Sequence, residues 1–148
     1  MGWYMAGPLF TAAERQWNED LAAHLRANGL HVFLPQEQEP RAEDFPSQAA
    51  LRQAVFRKDI HDGLERCDGV LANLDGPGTD DGTAWEVGWA YARGYSIVGY
   101  RTDFRGSGDG FGTNIMLSES CNELIVLPSH LVSRAEMFQR ILAAVRRW

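Results

Sequence analysis

At 148 residues with a formal net charge of −6, the chain is sized for one domain spanning residues 1–148, with a substantial core. Its acidity, with Lys58 as the single lysine, argues against a broad nucleic-acid surface, which needs clustered Lys and Arg. Cys67 and Cys121 are too few and too scattered for a disulfide scaffold or a zinc site, and no stretch reaches bilayer-spanning length.

The amino terminus Met1-Gly-Trp-Tyr4 has no basic leader and Ala6 breaks the myristoylation pattern, so a reducing, cytoplasmic setting is expected. Trp3 to Ala6 reads as a first strand, broken by Gly7-Pro8. Thr11-Ala-Ala-Glu14 has the capping-box pattern of a helix start. Ala13, Trp17, Leu21 and Leu25 give that helix an apolar stripe, and Asn28-Gly29 ends it. Leu30 to Leu34 is a second strand, stopped by Pro35. The polar, proline-containing segment from Gln36 to Pro46 is a surface loop at a strand's carboxyl end, where binding residues often sit. Ser47 caps a helix expected to run to about Arg66, with Leu51, Val55, Phe56, Ile60 and Leu64 as its apolar residues and Asp59 and Asp62 on neighbouring positions.

Gly69 to Leu74 is a short apolar run of the kind a buried parallel strand needs. Ser96 to Tyr100 is a fourth strand and Leu124 to Leu127 a fifth. Between them lie the glycine-rich loop Arg101 to Thr113, containing Gly106-Ser-Gly-Asp-Gly-Phe-Gly112 and expected to be mobile, and a short helical turn at Asn114-Ile-Met-Leu117. Ser133 caps a last helix that turns Met137, Ile141, Leu142 and Val145 inward. Strands alternating with helices predict an α/β, flavodoxin-like three-layer domain: a five-stranded parallel sheet in the order 2-1-3-4-5 with helices on both faces.

The chemistry gathers after the third strand. Asp75-Gly-Pro-Gly-Thr-Asp-Asp-Gly-Thr-Ala-Trp-Glu86 places four carboxylates, Asp75, Asp80, Asp81 and Glu86, between a strand end and a helix that stops at Gly94. Ligands bind at such loops in open parallel sheets. Thr83 to Glu86 also fits a capping box, and a carboxylate in a first helical turn is held ionised by the macrodipole. Both roles stay open for Glu86, and a solvated turn stays open for the aspartates. The order 2-1-3 sets Tyr4 and Gly7 beside this loop.

Tyr4-Met-Ala-Gly-Pro-Leu-Phe10, Val32-Phe-Leu-Pro-Gln36, Lys58-Asp59-Ile60, Asp80-Asp-Gly-Thr-Ala-Trp-Glu86-Val-Gly-Trp-Ala90 and Asn114-Ile-Met116 together resemble the nucleoside 2-deoxyribosyltransferase family, in order across nearly the whole chain. The resemblance implies transfer of a 2-deoxyribosyl group between nucleobases in nucleotide salvage, through a glycosyl-enzyme intermediate on Glu86. Asp80, Asp59 and Tyr4 match its other catalytic positions, with Asp81 as the alternative to Asp80. It further implies substrate contacts from Gly7, Gln36 or Gln38, Asp81, Gly82, Asn114 and Met116, with Asn114 reaching a neighbouring subunit of a homo-oligomer. The expected partners are a small deoxynucleoside and a free base, with no metal, cofactor, nucleic-acid polymer or membrane.

These residue types suit the reaction. A carboxylate captures an oxocarbenium-like centre, and a second acid, Asp80 or Asp59, protonates the departing base. The alternatives are an N-glycosidase hydrolysing deoxynucleosides or their 5′-monophosphates, and an inactive nucleotide-sensing module. The loop Gly7-Pro-Leu-Phe-Thr11 carries no cation for a phosphate, and Arg101 and Arg105 read as solvated loop charges, so a neutral nucleoside is expected.

Overall fold

Each apolar run ends where the sequence supplies a chain breaker, and the strands follow. They are β1 (Gly2–Ala6), β2 (His31–Phe33), β3 (Gly69–Asn73), β4 (Ser96–Arg101) and β5 (Glu123–Val126). In this computed structural model, which describes residues 2–105 and 112–148, all strand pairs are parallel and the order is β2-β1-β3-β4-β5. Of the expected mobile loop, residues 106–111 lie outside the described residues.

The period-two alternation of the strands sorts the core into two layers. Trp3, Met5, Leu71, Val98 and Tyr100 face α1 (Ala12–Ala27) and α5 (Arg134–Val145), meeting Leu21, Leu25, Ile141 and Val145. Tyr4, Ala6, Val70, Ala72 and Ile97 point to the other side, toward Ile60, Leu64 and, on α3 (Asp81–Ala92), Val87 and Ala90. This alternation puts Tyr4 on the α3 side of the sheet.

The start of α1 is the expected capping box: Thr11 accepts from the Glu14 amide and the Glu14 carboxylate accepts from the Thr11 amide, worth about 1 kcal/mol. Of its expected inward stripe, Leu21 and Leu25 are in the core and Trp17 packs against it, and Ala13 alone turns outward. Ala13 is exposed and Trp17 half-buried, while Asn18, Leu21, Ala22 and Leu25 are buried. Asn18 is kept inside because its amide donates to the Pro8 carbonyl and to Gln36 Oε1.

Three further expectations are corrected. The helix from Ser47 does not run unbroken to Arg66. α2 spans Gln48–Arg57, a wider π-turn occupies Lys58–Gly63 and a 3₁₀ turn Leu64–Arg66. No residue of α2 is fully buried, and Val55 and Phe56 are exposed rather than core. The start of α3 also differs: its cap is Asp80, whose carboxylate accepts from the Thr83 amide at 2.9 Å and from its hydroxyl at 3.1 Å. Asp80 therefore takes the cap that Thr83 was expected to supply.

The third correction concerns Arg101, which is the last residue of β4 and only 2% exposed. Its guanidinium donates to the carbonyls of Leu74, Gly76 and Arg105, and Arg105 pairs with Asp103. Arg101 is therefore not a solvated loop charge, whereas Arg105 stays exposed in the loop, paired with Asp103. The chain then forms the short α4 (Ile115–Ser118), capped by Asn114 accepting from the Met116 amide. Among the described residues no helix is long and apolar enough to cross a membrane.

Candidate active site

Because α3 is capped at Asp80, Glu86 lies in its second turn, beyond the orphan amides that would have stabilised its charge. Its carboxylate instead meets the sheet. The Tyr4 hydroxyl donates to Glu86 Oε1 at 2.5 Å across 82 residues of sequence. Tyr4 is fully buried, lies opposite Phe33 on β2 and Val70 on β3, and stacks on the Phe33 ring at 5.5 Å and 11°.

Burial pushes Glu86 up to about 8, the Tyr4 hydrogen bond opposes that rise, and the charges of Asp59 and Asp80 add to it. The expectation of a carboxylate held ionised by its helix is therefore corrected: desolvation dominates. Tyr4 is driven far above the usual phenol range by burial and by the Glu86 and Asp59 carboxylates, so it stays a donor. Asp59, delivered by the π-turn, is raised to about 6 by burial and by the charge of Glu39, with Lys58 acting against the rise.

Glu86 and Asp59 line a cavity of about 490 Å³ together with Leu51, Arg52, Val55, Phe56, Ile60, Gly82 and Trp85. Phe56 and Trp85 meet edge to face at 5.8 Å and remain 56% and 48% exposed. An apolar wall of this size suits a flat ring, and two carboxyls at its floor suit proton and glycosyl chemistry. Arg52 has no ion-pair partner among the described residues. Among those residues no cluster of His, Cys, Asp or Glu is arranged for a metal ion.

Glu86, Asp59 and Gly82 line this cavity, Tyr4 reaches it from the sheet through its bond to Glu86, and Asp80 lies at the helix start. Asp81 is exposed on the first turn of α3. Gly7 sits where the ends of β1 and β3 come together; a side chain there would lie 3.1 Å from Asn73 Cβ. Gln36 is buried elsewhere: its amide donates to the Arg15 carbonyl and to Glu19, and its oxygen accepts from Asn18. Gln38 is exposed and faces a separate, charged depression with Arg57 and His61. Asn114 and Met116 stand on the outer side of α4, with Met116 exposed.

Sequence reading missed the Phe56, Trp85 and Arg52 wall. Val55 and Phe56 have core-like spacing, and nothing in the local sequence says that a cavity lies between them and α3.

A parallel α/β sheet with an acidic pair at its switch point defines a ligand-binding or catalytic domain of the doubly wound class. The chain belongs to the nucleoside 2-deoxyribosyltransferase family, whose family model matches residues 3–119. It is similar to the 2-deoxyribosyltransferase of Bacillus psychrosaccharolyticus, with 25% identity, 84% of this chain and 85% of that chain covered, and a TM-score of 0.69. Its fold is shared with a 2-deoxyribosyltransferase of Leishmania mexicana, at 20% identity, 95% and 96% coverage and a TM-score of 0.61. The same fold occurs in a Clostridium botulinum CMP N-glycosidase, at 20% identity, 95% and 98% coverage and a TM-score of 0.61. No curated protein matches the sequence.

Proposed function

We propose that this chain moves a 2-deoxyribosyl group from one nucleobase to another, with Glu86 as the nucleophile. The observation that carries the reading is the short Tyr4–Glu86 hydrogen bond at the floor of an aromatic-walled cavity that also holds Asp59. Tyr4 engages Oε1 and leaves Oε2 to attack C1′ of the sugar. The N-glycosidic bond breaks as the new C1′–O bond forms, and its electron pair leaves with the base. Asp59 gives that base a proton, since its raised value keeps part of it protonated near neutrality. A second base then attacks C1′, Glu86 departs as carboxylate, and the proton from the incoming nitrogen returns to Asp59.

In this reading Asp80 shapes the helix start and adds negative charge beside Glu86. The wall of Phe56 and Trp85 stacks the base. Asn114 and Met116 serve the cavity of a neighbouring subunit, a role for which their outward placement on α4 is suited.

Incubation with thymidine or deoxyinosine, with and without free adenine, tests the reaction class by chromatography. A new deoxynucleoside formed only with adenine, with ping-pong kinetics, is the expected result. Free sugar at the same rate in both reactions places the chain with the hydrolases, and no turnover with tight binding makes it a sensor.

A further inference from the structure

The Tyr4 ring that serves Glu86 is held from two sides. One face lies on Phe33; against its edge, and against the Phe33 ring, comes the backbone of Gly63, the last residue of the π-turn. A methyl group on Gly63 would stand 2.7 Å from Tyr4 Cε2, 2.8 Å from Phe33 Cε1 and 3.0 Å from Tyr4 Cδ2. Carbon atoms pack at about 3.5–4.0 Å, so the overlap approaches an ångström on both rings at once. Gly63 has φ −97° and ψ −90°, outside the left-handed region. The two rings leave no space for a side chain here.

We propose that Gly63 is a positioning residue for Glu86, acting through Tyr4: the bare backbone at the end of the π-turn lets the phenol ring seat fully, so that its hydroxyl reaches the carboxylate. The inference rests on the reading of Glu86 as nucleophile for its kinetic consequence but not for its structural one. The same π-turn brings Asp59, four residues earlier, to the cavity. One wide turn thus sets both the acid and, at second hand, the nucleophile, and π-turns recur at functional sites. Tyr4 is buried without a free side to retreat to, so a side chain at 63 pushes the ring along its plane and draws the hydroxyl away from Glu86. An ångström of displacement at such a contact costs about 10²-fold in rate.

Glu86 is faced by Tyr4 from β1, Asp59 from the π-turn, Asp80 from the start of α3 and Arg52 from α2. Of these, only Tyr4 donates a hydrogen bond to it among the described residues, and its loss moves Glu86 further toward the protonated form.

The test is the titration of the Glu86 carboxyl carbon in protein labelled with ¹³C-glutamate, assigned with Glu86→Gln. It is followed in the wild type, Gly63→Ala, Tyr4→Phe and the double variant, with circular dichroism as a check on folding. Gly63→Ala is expected to raise the midpoint in the same direction as Tyr4→Phe, and the double variant to match Tyr4→Phe alone. In the transfer assay kcat is expected to fall about 10²-fold with KM little changed. A midpoint in Gly63→Ala equal to wild type, or effects that add fully in the double variant, overturns the proposal.

Should Gly63→Ala not fold, Gly63→Ala/Phe33→Leu removes the Phe33 ring atom that the methyl would also meet and gives the displaced Tyr4 room. The same rise in midpoint is then expected, and its absence is equally decisive against the proposal. Because the titration needs no substrate, a chain without transferase activity still reports whether Gly63 seats Tyr4.

Discussion

Replacing Glu86 by glutamine should make the protein more stable, and only at neutral to alkaline pH. The amide is isosteric and still accepts the Tyr4 hydroxyl, so the change removes little but the charge. Folding raises the carboxyl from its ordinary 4.5 to about 8; at about 1.4 kcal/mol per pKa unit, burying the ionised form costs up to about 5 kcal/mol. Water entering the cavity screens part of this, leaving about 2–3 kcal/mol to be measured. A carboxyl raised on folding leaves the native state intact below pH 4.5 and weakens it as pH climbs from there toward 8, beyond which the cost is constant. Urea unfolding of wild type and Glu86→Gln at pH 5 and pH 9 is the assay. The two proteins should differ by under about 1 kcal/mol at pH 5, with the variant ahead by the full 2–3 kcal/mol at pH 9. Equal differences at both values would mean that Glu86 is not a desolvated carboxylate, and the account of the site would fall with it.

The kcat/KM profile should be a bell with its maximum between about 6 and about 8, the values to which Asp59 and Glu86 are raised, because the active form carries one proton over the pair. Asp59→Asn should leave a single rising limb, shifted to lower pH as the neighbouring charge is lost; an unchanged bell would exclude Asp59. Arg101→Ala should cost about 3 kcal/mol in urea unfolding, since it strips donors from the buried Leu74 carbonyl and the half-buried Gly76 carbonyl; wild-type stability would show that water replaces them. Deoxyadenosine should be used at least tenfold more efficiently than its 5′-monophosphate, about 1.4 kcal/mol in the transition state, when adenine release is followed. Preference for the monophosphate would reverse the nucleoside reading, and its loss in Arg52→Ala would identify the cation that holds the phosphate.

Most of the architecture was legible because it depends on short-range signals. Five apolar runs with breakers after them, the Thr11 capping box, Gly29 and Gly94 at left-handed helix ends, and the inward spacing of α5 all act within a few residues. What was not legible depends on distant partners. Asp80 and Thr83 are both good cap residues, and only the geometry of the loop decides for Asp80. Gln36 reads as a loop residue available to a ligand, yet three groups of α1 absorb its amide. The π-turn at Asp59 has no sequence pattern to announce it, and Arg101 extends β4 by one residue because its charge finds carbonyls inside. For the site itself, the resemblance named Glu86, Tyr4 and Asp59, and the fold brings their side chains to one place. The wall of Phe56 and Trp85 stayed hidden because an exposed aromatic and a core aromatic have the same helical spacing.

The loops at the carboxyl edge of the sheet do not behave as separate parts. Arg101 fastens the segment after β3 to the end of β4, and Asp75 answers from the other side by accepting from the Thr102 amide, the Thr102 hydroxyl and the Asp103 amide. Two stretches that the chain writes 27 residues apart are thereby locked into one rigid corner. Such a corner constrains how the domain can diversify: a residue added or removed on either side misaligns the opposite one, so the two must change together. The Pro40–Pro46 stretch, largely exposed, is free to vary in length and composition. New specificities are therefore easier to build from the α2 side of the cavity, by exchanging Arg52, Val55 or Phe56, than from the loops that the sheet holds fast.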